Sequence, residues 1–337
     1  MILRVLAALV MLALATAGAQ AASFDCKKAT TPFEVAICTH PELSKADDIL
    51  AVAYQTAIGG LSEPALKVMQ RNQREWLGYA QRVCTDDAEP MTSKYPDDKV
   101  DCLRSTFEAR VRVLEQSRMQ SALRFFTVDH YVAIPDTTAE ADAWSKVASK
   151  EFSAVRIDGT GPEAEAFGEF LAEYGPAQFG VEGGDPETDE TSDTQTSLKV
   201  DAVTPQRISV VVNAWWYGHG AAHGNYTISY LHFLREQKRP LEASDIFDKD
   251  GWEEQLGKLA LAELDGTIEG GIWEESRDDA AKSAADPSRW SFSSEGVVIQ
   301  YQPYEVTACA YGAPTVTIPW AQLTDYLAED GQMIAQY

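Results

Sequence analysis

The sequence predicts an α domain followed by an α+β domain: a small helical domain stapled by disulfides, then a domain built on an antiparallel sheet. Residues 22–120 carry apolar side chains at helical spacing, and they hold four of the five cysteines. Residues 121–337 mix strand-like and helical stretches in an order typical of α+β domains. Apolar residues make up 45% of the chain, which is ordinary for a folded protein.

Residues 1–21 are predicted to form a cleaved secretory signal peptide. Arg4 precedes the apolar run VLAALVMLALATA, which is too short to span a bilayer, and Ala19-Gln20-Ala21 fits the small-x-small cleavage rule. The alternative is an uncleaved membrane anchor. No later segment is long and apolar enough to cross a membrane. We therefore expect a soluble periplasmic mature chain without a membrane span.

The chain is strongly acidic, with 28 Lys and Arg against 52 Asp and Glu and a formal net charge of −24 at pH 7. Such a surface repels nucleic acid and anionic membranes, and it attracts cationic partners over long range at low salt. Taken alone, the charge favours the simpler interpretation that it confers solubility. Nucleic acid is therefore excluded as an expected partner, whereas a cationic protein is not.

The cysteines predict an oxidised first domain. Cys26, Cys38, Cys84 and Cys102 form an even set in a small exported domain, which is typical of two disulfides. Four cysteines allow three pairings, and the sequence leaves the choice open. Zinc binding is less favoured because no CxxC pair is present. Cys309 lies in the run EVTACAYG, where we expect a buried unpaired thiol in a strand.

Three helices are predicted in the first domain. Apolar residues recur at the spacing of one helical face over 39–58, and Gly59-Gly60 ends that helix. Ser62 is a suitable cap for a second helix, with Pro64 in its first turn. A polar loop leads to the last helix. A domain of this size has a modest core, which disulfides near the helix ends would support.

The second domain is predicted to begin with a strand over 127–136 and a helix over 137–155. The segment 181–197 is acidic and almost free of apolar residues, so we expect a solvated loop. Strands are predicted within 198–218 and 225–235, where β-branched and aromatic residues partly alternate with polar ones. An amphipathic helix and further strands complete the domain.

The segment NAWWYGHGAAHGNYT raises the question of a metal or catalytic site. His219 and His223 are four residues apart, as are the two zinc ligands of an HExxH helix. However, Gly218, Gly220 and Gly224 disfavour a helix, and Gly220 stands where the HExxH glutamate would be. We therefore predict no metal, no cofactor and no catalytic residue at this segment.

A glycine-rich bend explains the same residues better. Glycines allow positive φ and close backbone approach, and the His223 ring can fix the bend through a hydrogen bond to loop backbone. Trp215 and Trp216 point to opposite faces of a strand, so we expect one to fill the core and the other to be available to a partner. Simple core packing of the tryptophans is the alternative. The predicted binding residues are Trp215, Trp216, Tyr217, His219 and His223.

The first domain resembles the N-terminal domain of LprI-type lysozyme inhibitors. The resemblance covers about 90 residues, from CKKATTPFEVAICTHPELSKADDILAVAYQTAI to QREWLGYAQRVC, and it departs from the family at Ala80, where an arginine is frequent. It implies a disulfide-linked helical domain with lysozyme as a partner. The matching residues include Cys26, Glu34, Cys38, Tyr54, Gln73, Trp76 and Cys84, with Cys102 as the second late cysteine.

The second domain resembles an exported module shared by RsiV-type anti-sigma factors and the non-catalytic part of PdaC-type peptidoglycan deacetylases. The matching stretches are Gly220-Ala221-Ala222-His223-Gly224, in which Ala221 replaces a glycine, and YQPYEVTACAYGAPTVTIPW. In the RsiV type this region binds lysozyme, so the resemblance implies an extracellular binding module without catalysis. Its predicted structural-motif residues are Gly220, Ala222, Gly224, Tyr304 and Gly312, alongside Trp76 of the first domain.

Together these observations predict a non-catalytic periplasmic protein that binds a cationic lysozyme or a cell-wall component. One alternative is an envelope hydrolase that acts on peptidoglycan through His223 and an acidic partner. Another is an accessory envelope module that makes no contact with lysozyme.

Overall fold

The computed structural model describes residues 22–140, 143, 145–173 and 189–336. The predicted signal peptide and the first part of the predicted acidic loop lie outside these residues. Across the described residues, each helix lacks the length or the apolar character that a bilayer crossing requires.

Local sequence signals account for the helices within residues 32–114, which together we call the helical module. Thr31 and Glu34 form a capping box at the start of α1, and the Ser62 side chain accepts a hydrogen bond from the first turn of α3. Gly60, just beyond α2, adopts a φ of +73°. The helices are α1 (Pro32–Thr39), α2 (Pro41–Ile58), α3 (Glu63–Val83) and α4 (Asp97–Leu114).

Each of the two disulfides joins cysteines that follow one another in the sequence. Cys26–Cys38 ties the N-terminal turn to α1, and Cys84–Cys102 ties the end of α3 to α4. The predicted disulfide-stapled helical domain is confirmed, and the structure supplies the pairing that the sequence left open. Cys309 is unpaired, as expected, but it is partly exposed in a short 3-10 turn. The expected strand was wrong because the chain turns there, with Gly312 at a φ of +71°.

A seven-stranded sheet forms the centre of the second module, with its strands in chain order. All neighbours are antiparallel except β3 and β4, whose parallel pairing requires a crossover, and α5 (Pro162–Ala172) lies in that connection. The predicted α+β class with a mostly antiparallel sheet is confirmed. The strands are β1 (Met119–Gln120), β2 (Leu123–Pro135), β3 (Val147–Ile157), β4 (Ser192–Val203), β5 (Arg207–Gly218), β6 (Asn225–Leu234) and β7 (Arg239–Pro240).

Two segments that were predicted as a helix and a loop contribute strands to this sheet. The helix expected over 137–155 is wrong: the described residues before 147 are not helical, and from Val147 onward β3 pairs with β2 along its whole length. Cross-strand pairing has overridden the helical propensity of the alanine, glutamate and lysine residues in this segment. Residues 192–197 of the expected acidic loop belong to β4, where alternate side chains are buried. The predicted domain boundary between residues 120 and 121 stays a prediction.

The C-terminal part of the chain has its own apolar core. It contains a three-stranded antiparallel sheet and three helices, and its buried residues include Leu256, Leu264, Trp290, Ile299 and Ile318. The elements are α6 (Trp252–Thr267), α7 (Arg277–Ser283), β8 (Trp290–Phe292), β9 (Gly296–Gln300), β10 (Thr315–Pro319) and α8 (Gly331–Ala335).

Strand β5 shows how the large sheet is covered on both faces. Ile208 and Val210 are buried in one core with Phe167 of α5. Arg207, on the opposite face, contacts the Phe292 ring of the C-terminal part, with its guanidinium carbon 4.7 Å from the ring centre. Trp215 shares the face of Arg207 because the two lie eight residues apart on the strand.

The helical module is fixed to the sheet by a buried ion pair. Arg110 of α4 donates from Nη1 to Oδ2 of Asp129 on β2 at 2.7 Å, and both side chains are 0% exposed. Asn72 of α3 donates to the same carboxylate at 3.2 Å. Phe126 of β2 is buried in the core of the helical module. The helices and the sheet therefore share one packed interface.

The C-terminal part is fixed to the sheet by a second buried polar cluster. The ring of His232 lies 2.8 Å from Ser209 Oγ through Nδ1 and 2.9 Å from the Trp290 carbonyl through Nε2. Arg207 donates from Nε to the Ile334 carbonyl at 3.0 Å. Burial and, to a lesser extent, the charge of Arg207 lower the pKa of His232 to about 3.

Removing the charge of Asp129 should destabilise the protein strongly. In Asp129→Asn the buried Arg110 loses its counter-charge, and we expect the free energy of unfolding to fall by about 3–5 kcal/mol. Asp101→Asn is the control, because Asp101 is 76% exposed in a 3.7 Å pair with Arg104 and should change the value by less than about 1 kcal/mol. Urea unfolding followed by circular dichroism measures both, and equal effects would contradict the prediction.

Acid should destabilise the protein through His232. The unfolded imidazole binds a proton below pH 6.5, whereas the folded one does so only near pH 3. Its contribution is thus complete above pH 6.5, and it is lost at up to about 1.4 kcal/mol per unit as the pH falls towards 3. His232→Gln should flatten the dependence of unfolding free energy on pH between pH 6.5 and 4.5. An unchanged slope in His232→Gln would refute this.

Candidate functional site

The glycine-rich segment forms the turn between β5 and β6. The His219 N–H donates to the Thr191 carbonyl at 2.8 Å, and the Ala221 N–H donates to the Gly218 carbonyl at 2.9 Å. Gly220 has a φ of +81°, a conformation that favours glycine. Ala222 is exposed in the same turn. The side chains of the two histidines therefore project from a turn and not from one face of a helix.

His219 is held inside the protein by two carboxylates. Its Nδ1 lies 2.6 Å from Oδ2 of Asp136, which follows β2, and its Nε2 lies 3.6 Å from Oδ1 of Asp193 on β4. Burial would raise the pKa of Asp136, but hydrogen bonds from His219 and Thr138 outweigh burial and hold this pKa below its ordinary value. The His219 side chain is 9% exposed. Its contacts with Asp136 and Asp193 connect the ends of β2, β4 and β5.

His223 connects the turn to the C-terminal part of the chain. Its Nδ1 lies 2.9 Å from the Gly224 carbonyl, and its Nε2 lies 3.1 Å from the hydroxyl of Tyr304. The two rings are stacked with their centres 6.2 Å apart. A hydrogen bond with the Cys309 thiol raises the pKa of Tyr304, whose backbone φ is +63°. These contacts make His223 a bridge between the large sheet and the C-terminal loop.

The hydrogen-bond partners of the two histidines differ. Within the described parts of the chain, the carboxylates bond to His219, and His223 has only a carbonyl and a phenol as hydrogen-bond partners. The same residues contain no group of three or more His, Cys, Asp or Glu side chains arranged to hold a metal ion. The acidic partner that the hydrolase alternative requires is therefore not seen at His223 among these residues.

The two tryptophans differ in exposure. Trp215 is 41% exposed and its ring is stacked on that of Tyr217, with centres 6.2 Å apart and planes 13° from parallel. Trp216 is partly buried on the other face, and its Nε1 has no hydrogen-bond partner among the residues that the structure describes. Trp215 and Tyr217 thus present an aromatic surface beside the turn, whereas Trp216 contributes to packing.

Close packing against these rings explains two of the glycines. A Cβ on Gly218 would lie 2.8 Å from the Trp216 ring. A Cβ on Gly224 would lie 2.7 Å from the Trp216 carbonyl oxygen and 2.8 Å from Trp215 Nε1. Real Cβ atoms do not approach so closely, so a glycine is needed at both positions. Gly312 combines a φ of +71° with a Cβ position 3.2 Å from the Tyr226 hydroxyl.

Trp76 lies in the helical module and not beside the glycine-rich turn. It is buried in the helical core, where its ring packs against Phe107 at 5.2 Å and lies 5.9 Å from the guanidinium of Arg110. Its role in the structure is to support the helices around the buried ion pair.

The sequence did not identify the carboxylates next to the candidate residues. Asp136 follows β2, Glu151 lies on β3 and Asp193 lies on β4, and these strands meet only through sheet pairing. No local motif connects the three positions. Asp193 was also obscured because it fell within the expected acidic loop.

The fold and the two disulfides define the class of protein: a disulfide-linked helical module packed on an α+β module. Residues 26–114 match the family model described as "Lysozyme inhibitor LprI", and residues 244–321 match the model described as "Protein of unknown function (DUF3298)". Each match covers less than half of the chain. The predicted resemblance of the first domain to LprI-type inhibitors is confirmed, and part of the second domain is similar to the DUF3298 family.

Two solved structures similar to this chain are also DUF3298 proteins. A member of the family from Bacteroides fragilis is 16% identical with a TM-score of 0.44, and the match covers 64% of this chain and 97% of that one. A DUF3298 family protein from Pseudomonas aeruginosa is 13% identical with a TM-score of 0.42, covering 62% and 95%. No curated protein matches the chain. At such low scores, these structures add nothing to the two family matches.

Adding a methyl group at Gly224 should disturb the aromatic surface. In Gly224→Ala the new Cβ must displace the Trp216 backbone or the Trp215 ring, and we expect a loss of about 1–3 kcal/mol in unfolding free energy. The near-ultraviolet circular dichroism of the tryptophans should change with it. Gly266→Ala is the control: it lies in α6 with nothing within 4 Å of its Cβ position, and should be neutral or stabilising. Matching spectra and stabilities would contradict the packing argument.

Proposed function

We propose that this chain is a soluble, periplasmic, inhibitor-like protein that binds lysozyme without catalysing a reaction. The match of residues 26–114 to the lysozyme-inhibitor family is the observation that carries the proposal. The two disulfides support an oxidising compartment. Cleavage of the predicted signal peptide after Ala21 would deliver the chain to the periplasm.

The charge of the chain supports a cationic partner. Its net charge is −24, and many lysozymes are strongly basic. Complementary charge raises the rate of encounter and suppresses association with acidic proteins. A lysozyme would be inhibited if the bound chain covered its substrate cleft. A cell-wall component remains the second partner class, but no specific contact in the structure favours it.

The aromatic surface beside the glycine turn is the proposed contact region in the second module. Trp215 and Tyr217 offer stacked rings, and Tyr304, which is 45% exposed, lies against His223. Exposed aromatic rings provide large contact areas with few rotatable bonds, and such residues dominate the energetics of many interfaces. Within this proposal His219 and Trp216 support the surface from behind.

Inhibition assays test the proposed function directly. The purified protein should slow the lysis of cell-wall suspensions by at least one of the c-type, g-type and i-type lysozymes. It should form a complex whose affinity falls as salt rises from about 50 to 200 mM, because salt screens the attraction between opposite charges. The absence of both inhibition and a complex at low salt would overturn the proposal.

Truncating Trp215 should weaken that complex. Trp215→Ala removes an exposed aromatic anchor, and we expect the dissociation constant to rise roughly tenfold or more. Trp273→Ala is a matched control, because Trp273 is 39% exposed but lies on the connection between α6 and α7. Isothermal titration calorimetry measures both variants. Equal affinities would remove the turn from the contact region and leave binding to the helical module.

A further inference from the structure

A cleft of about 360 Å³ opens between the helical module and the large sheet. One wall consists of the end of α3 and the start of α4, which the Cys84–Cys102 disulfide joins. The other wall is formed by β3 and β4. Within the described parts of the chain, the charged residues that line the cleft are Asp98, Lys99, Lys146, Glu151 and Asp193.

Glu151 places a carboxylate between the two walls, held by neutral donors. The Tyr79 hydroxyl donates to Oε1 at 2.8 Å, and the Gln195 amide donates to Oε2 at 2.8 Å. Burial and the nearby Glu151 raise the pKa of Tyr79 well above its usual range, so the phenol keeps its proton. Among the described residues, no lysine or arginine forms an ion pair with Glu151. The Glu151 carboxylate is therefore held in place by neutral donors and not by a cationic side chain of the described residues.

Asp193 adds a second carboxylate with the same character. Its Oδ1 accepts hydrogen bonds from the Ser149 N–H at 2.7 Å and from the Ser149 hydroxyl at 2.8 Å. His219 lies 3.6 Å from Asp193, which remains 17% exposed. The Lys150 ammonium on β3 is also near: burial lowers the pKa of Lys150, and the Asp193 charge is among those that oppose this shift. Because Ser149 and Glu151 lie two residues apart on β3, Asp193 and Glu151 point into the same space.

The two lysines of the cleft have a different counter-charge. Lys99 lies 2.6 Å from Asp86 and Lys146 lies 3.9 Å from the same carboxylate. A hydrogen bond from Lys99, which outweighs the cost of burial, lowers the pKa of Asp86. Asp86 therefore engages both lysines, whereas no lysine or arginine nitrogen of the described residues lies within 4.0 Å of the Glu151 or Asp193 carboxylate oxygens.

We propose that this cleft receives a lysine or arginine side chain from a cationic protein partner. This inference rests on the proposed function and identifies a second contact, on the boundary between the two modules. Charge-assisted hydrogen bonds from an ammonium or guanidinium to Glu151 and Asp193 would satisfy the two carboxylates. The volume of the cleft, about 360 Å³, is enough for one long side chain with water around it.

A small cation tests the site without lysozyme. N-acetyl-argininamide carries a guanidinium and no carboxylate, and its binding can be followed by chemical shifts of the labelled protein. We expect Glu151→Gln to raise its dissociation constant roughly tenfold, the effect of losing one charged hydrogen bond. Lys146→Gln should instead tighten binding, because it removes a like charge from the cleft. Glu165→Gln is the control, since Glu165 is exposed on α5, across the sheet.

The signs of these effects separate the possible results. Equal affinities in Glu151→Gln and Glu165→Gln would overturn the cation site. Weaker binding in Lys146→Gln would also contradict it, because removing a like charge should strengthen the attraction of the cleft for a cation. Lysozyme binding that is unchanged in Glu151→Gln would overturn the contact but leave the proposed function intact. A cation site that behaves as expected in a protein that binds no lysozyme would overturn the proposed function and the assignment of the partner.

Discussion

The buried ion pair between Arg110 and Asp129 determines how the two modules are arranged. It lies where α4 meets β2, both side chains are fully buried, and Asn72 of α3 contacts the same carboxylate. Burying two charges costs free energy that their attraction only partly returns, so such a pair contributes little net stability but disfavours other arrangements strongly. We interpret it as the contact that holds α3 and α4 in one position over the sheet. The cleft above β3 and β4 exists only because the helices are held there.

A second constraint is the register of the large sheet. Pairing places Asp193 opposite Tyr217 and Gln195 opposite Trp215, so the polar edge of the cleft continues into the aromatic surface on β5. The turn after β5 then directs its two histidines differently: His219 binds the carboxylates of the sheet, and His223 reaches Tyr304 in the C-terminal part. One turn of six residues therefore links three regions of the chain. This explains histidines among glycines without invoking a metal.

The candidate contacts share one chemical character. The cleft offers carboxylates, the turn offers stacked aromatic rings, and the chain as a whole has a net charge of −24. Cationic side chains interact favourably with both carboxylates and aromatic faces. The chemistry of these surfaces fits the cationic partner of the proposed function, which rests on the lysozyme-inhibitor match of the helical module. The DUF3298 match adds no partner, since that family is described as a protein of unknown function.

Much of the fold followed from the sequence alone because its signals are local. The helices of the first module were set by capping residues, prolines and glycines, and the disulfide-forming cysteines by their number and expected compartment. The glycine turn, too, was visible in its composition. What only the tertiary structure decided depends on residues far apart in the chain: the disulfide pairing, the strand over 147–157, and the meeting of Glu151, Asp193 and Tyr79. The alanine, glutamate and lysine content of β3 favours a helix, and pairing with β2 outweighs it. Carboxylates brought together by sheet register leave no spacing in the sequence, which is why the cleft could not be predicted from it.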